Sequence, residues 1–192
     1  MKRKVPNIII TGVPGSGKST LCEELKEIIN KELRKRNDME GIEMTHLNLS
    51  NIIKEERLYK EFDDELDASI YSEELLNEYL KKKYKLEKGG YIIDFHDINF
   101  VTDVDIIDKI FLLTIQTNYL YERLEKRNYT KEKIKNNIEC EIFQVIKEDI
   151  LDHFPNTNIL QEIENNDLQQ YDNNLSIIKN WVLSYIGYAT DV

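Results

Sequence analysis

The chain has 192 residues, 41% of them hydrophobic and 32% charged, and a formal net charge of -10. That length supports one core of ordinary size, and no apolar run nears the roughly 20 residues that cross a bilayer. The charge disfavours duplex nucleic acid and grows more negative along the chain: residues 1–40 carry 9 Lys+Arg against 6 Asp+Glu, 41–134 carry 14 against 20, and 135–192 carry 3 against 10.

The N-terminal MKRKVPNIIITG is basic, then apolar, but its apolar part is short and runs straight into a glycine-rich loop. A cleaved leader there would destroy that loop, so the sequence predicts an intracellular protein without a membrane anchor. Cys22 and Cys140 lack metal-ligand or redox spacing and are read as buried free thiols.

Val5 to Thr11 is apolar on both faces save Asn7, which suits a buried parallel strand. A helix from about Ser19 carries the stripe Leu21, Leu25, Ile28, Ile29 and Leu33, then ends in the polar excursion RKRNDMEG. Thr45 to Asn48 predicts a short second strand, and residues 50–70 predict short helices. Ser72 caps a helix with the stripe Leu75, Leu76, Tyr79 and Leu80, and Gly89-Gly90 breaks the chain before strands at 91–94 and 110–114. Thr117 to Arg127 reads as a helix, followed by another with Ile134, Ile138, Ile142, Val145 and Ile146 on one face. NILQ, residues 158–161, predicts a fifth strand, the Asn-rich tract 156–174 a surface loop, and Leu175, Ile178, Val182 and Ile186 a terminal helix. Strands alternating with helices give an α/β fold, a parallel sheet of about five strands covered on both faces, in one domain spanning 1–192.

Gly12, Gly17, Lys18 and Ser19 fit G-x-x-x-x-G-K-S, with strand before and helix after. Such a P-loop turns backbone N–H groups onto phosphates at a helix N-terminus. Lys18 reaches the β- and γ-phosphates of ATP, and Ser19 offers its hydroxyl to Mg²⁺. Asp94, ending an apolar strand, is the candidate carboxylate for the Mg²⁺ shell; the alternative is a strand-ending Asp capping a turn. His96 either positions a nucleophile or is a hydrogen-bonding loop residue.

The phosphoryl acceptor is not named by the P-loop. No guanine-reading Asn-Lys-x-Asp occurs, which argues against a GTPase. Arg123 and Arg127 share a helix face just before the polar NYTKEKIKNN, as in a mobile lid that neutralises migrating charge; the alternative is a solvated face pairing with Glu122 and Glu125.

IIITGVPGSGKST, EERLYKEFDDELD, GGYIIDFHD, TNYLYERLEKRNY and NNIECEIFQV occur in that order. Together, across about residues 5–150, they resemble the adenylate kinase isoenzyme 6 family, nuclear adenylate kinases and ATPases linked to small ribosomal subunit maturation. The resemblance implies that Gly12, Gly15, Ser16, Gly17, Lys18, Ser19 and Thr20 bind ATP, and that Asp94 and His96 serve Mg²⁺ and nucleophile organisation. It implies an AMP-side segment at about 48–71, with Asn48, Lys54 and Arg57 as substrate contacts, and a lid at about 126–136 with Arg127 reaching ATP. It also implies a uS11-type small-subunit ribosomal protein as partner, for which the acidic surface suits a basic surface, and residence in nucleus and cytoplasm. Two departures stand out: Lys54 replaces an arginine before the Glu-Glu pair, losing bidentate phosphate geometry, and Ala68-Ser69 replaces Cys-Pro. The sequence therefore reads as an adenylate kinase with ATPase activity; the alternative is an assembly ATPase with little kinase flux.

Overall fold

The computed structural model describes residues 3–63 and 68–187. Five parallel strands, β1 (Ile8–Thr11), β2 (Thr45–Asn48), β5 (Tyr91–Asp94), β6 (Lys109–Thr114) and β7 (Leu160–Glu164), form one sheet in the order β2-β5-β1-β6-β7. The fifth strand is present but runs to Glu164, beyond the predicted NILQ.

Both faces of this sheet are apolar, because alternate residues of a strand point to opposite sides. Ile8 and Ile10 join Ile92, Phe111 and Leu113 under α1 (Lys18–Leu33) and α7 (Leu168–Tyr185). Ile9 joins Leu47, Ile93, Ile110 and Leu112 on the other face, against α2 (Leu49–Glu55), α3 (Glu73–Lys83), α4 (Thr117–Lys126), α5 (Lys131–Ile142) and α6 (Val145–His153). Asn7, the polar residue just before β1, is fully buried and satisfied: its amide donates to the Leu86 and Ile106 carbonyls and accepts from the Tyr91 N–H. No helix among the described residues is long and apolar enough to cross a membrane.

Four expectations are corrected. Residues 50–70 hold one short helix and then an antiparallel hairpin, β3 (Tyr59–Asp63) with β4 (Ala68–Tyr71). The helix drawn through Ile134–Ile146 is broken at Gln144, whose φ of 53° lies in the left-handed region, so Ile142 and Val145 are exposed rather than part of the stripe. Leu75 likewise faces solvent, one position off the buried Leu76 and Leu80. The Asn-rich tract is no surface loop: it contains β7 and the start of α7, and Asn165, Asn166 and Asn174 are buried. Cys22 is buried and Cys140 half-buried, both as free thiols.

Candidate functional site

At the C-terminal edge of the sheet, β1 passes into the loop 12–17 and then into α1. The loop is folded tightly enough that a Cβ on Gly12 would lie 2.5 Å from the Leu113 carbonyl oxygen and 2.9 Å from Ser16 Oγ. Gly17 caps α1 at φ 99° with no side chain satisfying the first turn, so the helix offers its N-terminus to an anion. Gly15, Gly17, Lys18, Ser19 and Thr20 line a cavity of about 510 Å³, together with Asn48, Asp94, His96 and Arg127. Nine sequence-predicted residues from four stretches of the chain thus converge on one space.

Lys18 enters this space from the loop and donates to the Gly12 and Val13 carbonyls at 2.7 and 3.0 Å. Burial lowers its pKa from 10.5 to about 8, and Asp94 only partly opposes this. A cation held that way, among carbonyls rather than against a carboxylate, is ready to exchange weak partners for phosphate oxygens.

Opposite it, Asn48 ties two oxygen donors together. Its amide nitrogen donates to Asp94 Oδ2 at 2.8 Å and to Ser19 Oγ at 3.2 Å, while its carbonyl oxygen caps α2 by accepting from the Asn51 N–H. Both ends of the amide are used, so its orientation is fixed. A hydroxyl and a 97%-buried carboxylate side by side are the hard oxygen donors that Mg²⁺ prefers, so these residues fit that ion. His96 stands at the mouth of the same cavity, accessible within it and packed on Phe95 with ring centroids 4.5 Å apart. The surrounding walls lower its pKa, and the Lys18 charge lowers it further, against Asp97 and Asp94. The imidazole is therefore neutral at neutral pH and can orient or accept a proton.

The remaining predicted residues lie elsewhere. Gly12 and Ser16 belong to the loop but do not line the cavity, and the Ser16 N–H donates to the Val13 carbonyl. Arg123 lines an adjoining groove of about 590 Å³, and its guanidinium donates to the Gly15 carbonyl at 3.1 Å and to the Asn166 carbonyl at 2.6 Å. Arg123 braces the loop from that side. Lys54 and Arg57 are exposed at the end of α2 and line neither space.

Several residues at the site were not singled out by the sequence. Tyr129 and Lys133 line the cavity, Lys133 lying over the Tyr129 ring at 4.4 Å; both fall within the polar stretch that suggested a lid. Thr130 caps α5 through the Lys133 N–H and so fixes where that lysine starts. Asn165 donates to the Ser16 carbonyl at 2.6 Å, its own N–H is held by the Thr114 carbonyl, and a Cβ on Gly17 would lie 2.6 Å from its amide. Glu141 accepts from the Ile115 N–H at 2.9 Å, with burial raising its pKa against the Lys18 charge. The contacts of Asn165 and Glu141 join residues far apart in sequence, and no local pattern announces them.

Comparison with known proteins gives the chain its family. A family model described as an AAA domain matches residues 8–144. The chain is 97% identical over 186 residues to an adenylate kinase isoenzyme 6 homolog of Plasmodium falciparum (isolate 3D7), covering 97% of this chain and 100% of the relative. It is 33% identical to the Schizosaccharomyces pombe homolog over 96% of this chain and 95% of the other, and 30% identical to the Saccharomyces cerevisiae homolog FAP7 over 99% and 88%. Among solved structures, a shikimate kinase from Bacteroides thetaiotaomicron superposes with a TM-score of 0.54 at 17% identity, over 92% of this chain and 98% of that one, which shows the shared fold alone. The chain belongs to the adenylate kinase isoenzyme 6 homolog family.

Proposed function

We propose that this member of the adenylate kinase isoenzyme 6 homolog family transfers the γ-phosphoryl group of ATP to AMP, giving two ADP, and also hydrolyses ATP. The observation that carries the reading is the convergence of Lys18, Ser19, Asp94, His96 and Arg127 on one cavity at a helix N-terminus. ATP seats its phosphates in the loop 12–17, where Lys18 and the N–H groups of α1 bind the β- and γ-oxygens. Mg²⁺, held by Ser19 and Asp94, supplies charge neutralisation at the phosphates when bound. Arg127 and Lys133, which line the same cavity, stabilise charge spread over the transferring group.

His96 belongs to the hydrolytic branch. Its neutral imidazole at the cavity mouth orients a water in place of the AMP phosphate and takes its proton. AMP approaches from the 48–71 side, where Asn48, Ser50 and Asn51 already face the cavity. Lys54 and Arg57 would have to swing in from solvent, as lid-type closures allow.

We further propose a role in small ribosomal subunit maturation, in nucleus and cytoplasm, through a uS11-type ribosomal protein. Two features support it: the net charge of -10, which favours a basic partner, and the exposed Ile142, Phe143 and Val145 beside the Gln144 turn. The purified protein is incubated with Mg-ATP, with and without AMP, and the nucleotides are resolved by chromatography against a Lys18→Ala blank. Two ADP per ATP, formed only with AMP, supports the kinase. ADP and free phosphate regardless of AMP identifies an ATPase, and no turnover above the blank refutes both. A purified uS11-type protein that fails to bind in every nucleotide state removes the partner.

A further inference from the structure

Behind the Mg²⁺ donors lies a second set of ligand atoms with softer chemistry. Cys22 lies on α1, three residues beyond Ser19; His46 lies on β2, two residues before Asn48; and Asp94 ends β5. The register that pairs His46 with Ile92 and Asn48 with Asp94 puts His46, Asn48 and Asp94 on the sheet face that α1 covers. One ligand atom from each of Cys22, His46 and Asp94 lies within 4.8 Å of the others, and this is the one such His/Cys/carboxylate group among the described residues.

Two observations point to an ion there. The His46 side chain is nine-tenths buried, and its Nε2 has no hydrogen-bond partner, although a buried polar atom is normally satisfied. It stands 3.5 Å from Asp94 Oδ2, too poorly placed to be a bond between them. That separation nevertheless matches the N–O edge of a tetrahedron around zinc, about 3.3–3.5 Å for bonds of roughly 2.0–2.2 Å. The donor set is one sulfur, one nitrogen and one oxygen, which suits a borderline-soft ion and not Mg²⁺. Thiolate and carboxylate together bring two negative charges, which a divalent ion neutralises in this buried place.

We propose that Cys22, His46 and Asp94 form a site for a zinc-class divalent cation, and that its occupancy withdraws Asp94 from Mg²⁺ and lowers nucleotide turnover. Binding exchanges the Cys22 thiol proton, released to solvent, for a metal–sulfur bond, and three protein ligands leave the fourth position to water. No oxidation or reduction is involved. The binding part stands on the geometry alone; the inhibitory part rests on the function proposed above.

Cobalt(II) serves as a spectroscopic stand-in for zinc with the full chain free of nucleotide. One equivalent per chain is expected, with intense tetrahedral visible bands and a thiolate-to-cobalt charge-transfer band. Cys22→Ala and His46→Gln, each checked for a native circular dichroism spectrum, lose at least about tenfold in affinity, whereas Cys140→Ala keeps both bands. Should either ligand variant fail to fold, the thiolate-to-cobalt charge-transfer band of Cys140→Ala, in which Cys22 is the one remaining cysteine, decides the matter. Octahedral cobalt bands, substoichiometric uptake, or bands that follow Cys140 overturn the site. Zn²⁺ should inhibit ATP turnover in the wild type and much less in Cys22→Ala; equal inhibition of the two overturns the coupling. Cobalt binding without any turnover in the absence of zinc leaves the site intact and overturns the proposed function instead.

Discussion

Replacing Lys18 by methionine should stabilise the nucleotide-free protein while destroying its affinity for ATP. The Lys18 ammonium has a pKa lowered from 10.5 to about 8, chiefly by burial. At roughly 1.4 kcal/mol per pH unit, holding that charge in the fold at neutral pH costs about 3 kcal/mol. Methionine removes the charge and keeps most of the stem, but forfeits donations to the Gly12 and Val13 carbonyls, each worth about 1 kcal/mol. The expected net gain is therefore about 1–2 kcal/mol at pH 7. The sign in pH follows from linkage: between pH 8 and 10.5 the unfolded lysine binds a proton that the folded one has shed, so wild-type stability rises relative to the variant. Urea unfolding of both proteins at pH 7 and 9.5 should show the gap closing or reversing. With Mg-ATP at a hundred times its Kd the wild type gains about 2.7 kcal/mol and overtakes the variant, which gains nothing. A difference between the two proteins that is independent of pH would falsify the claim that a strained buried charge powers the site.

Four further outcomes can be measured on the same material. Asn48→Ala frees Ser19 and Asp94 from each other, so the Mg²⁺ concentration for half-maximal turnover should rise by about 10–100-fold with the fold intact; an unchanged Mg²⁺ dependence refutes the bridge. Hydrolysis through neutral His96 should fall as pH drops through its lowered pKa, and the same depression makes the folded state less stable relative to the unfolded one below about pH 6.5; pH–rate and pH–stability profiles that His96→Asn leaves unmoved would sink both. Asn165→Ala should destabilise by about 1–3 kcal/mol in urea, since the Ser16 carbonyl loses a buried donor, and a neutral result shows that water replaces it. Arg123→Met should weaken ATP binding without abolishing catalysis, because its partners are loop carbonyls rather than the reacting space; isothermal titration separates this from a catalytic loss.

The P-loop, the order of the main strands and helices, and the convergence of Asp94, His96 and Arg127 were legible because each has a local signature. Apolar runs such as Ile8–Ile10 announce strands buried on both faces, and the glycine spacing announces the cradle. The β3–β4 hairpin was not legible, since its residues YKEFD lack the period-two alternation of a half-buried strand. The break at Gln144 was hidden because Ile142, Val145 and Ile146 continue a helical rhythm across it, although only Ile146 of the three is buried.

The deeper failure concerns polar residues whose value lies in distant backbone. Asn165 and Asn166 sit in a tract whose composition reads as surface. Yet Asn165 holds the Ser16 carbonyl, while Asn166 gives its carbonyl to Arg123 and its side-chain oxygen to the Gln116 N–H. Asn174, nearly two turns into α7, reaches back to the Glu164 carbonyl and to Asn165. A parallel sheet makes such clamps necessary. Its strand ends leave carbonyls and N–H groups from successive crossovers side by side at one edge, and buried groups there must be satisfied by something short and bifunctional. Asparagine, with a donor and an acceptor on one short stem, meets that need. The same residue type that signals solvent in a composition count therefore fastens the phosphate loop to β7 and α7. A loop so fastened keeps its N–H groups aimed before any nucleotide arrives, which spares binding the entropy of ordering it.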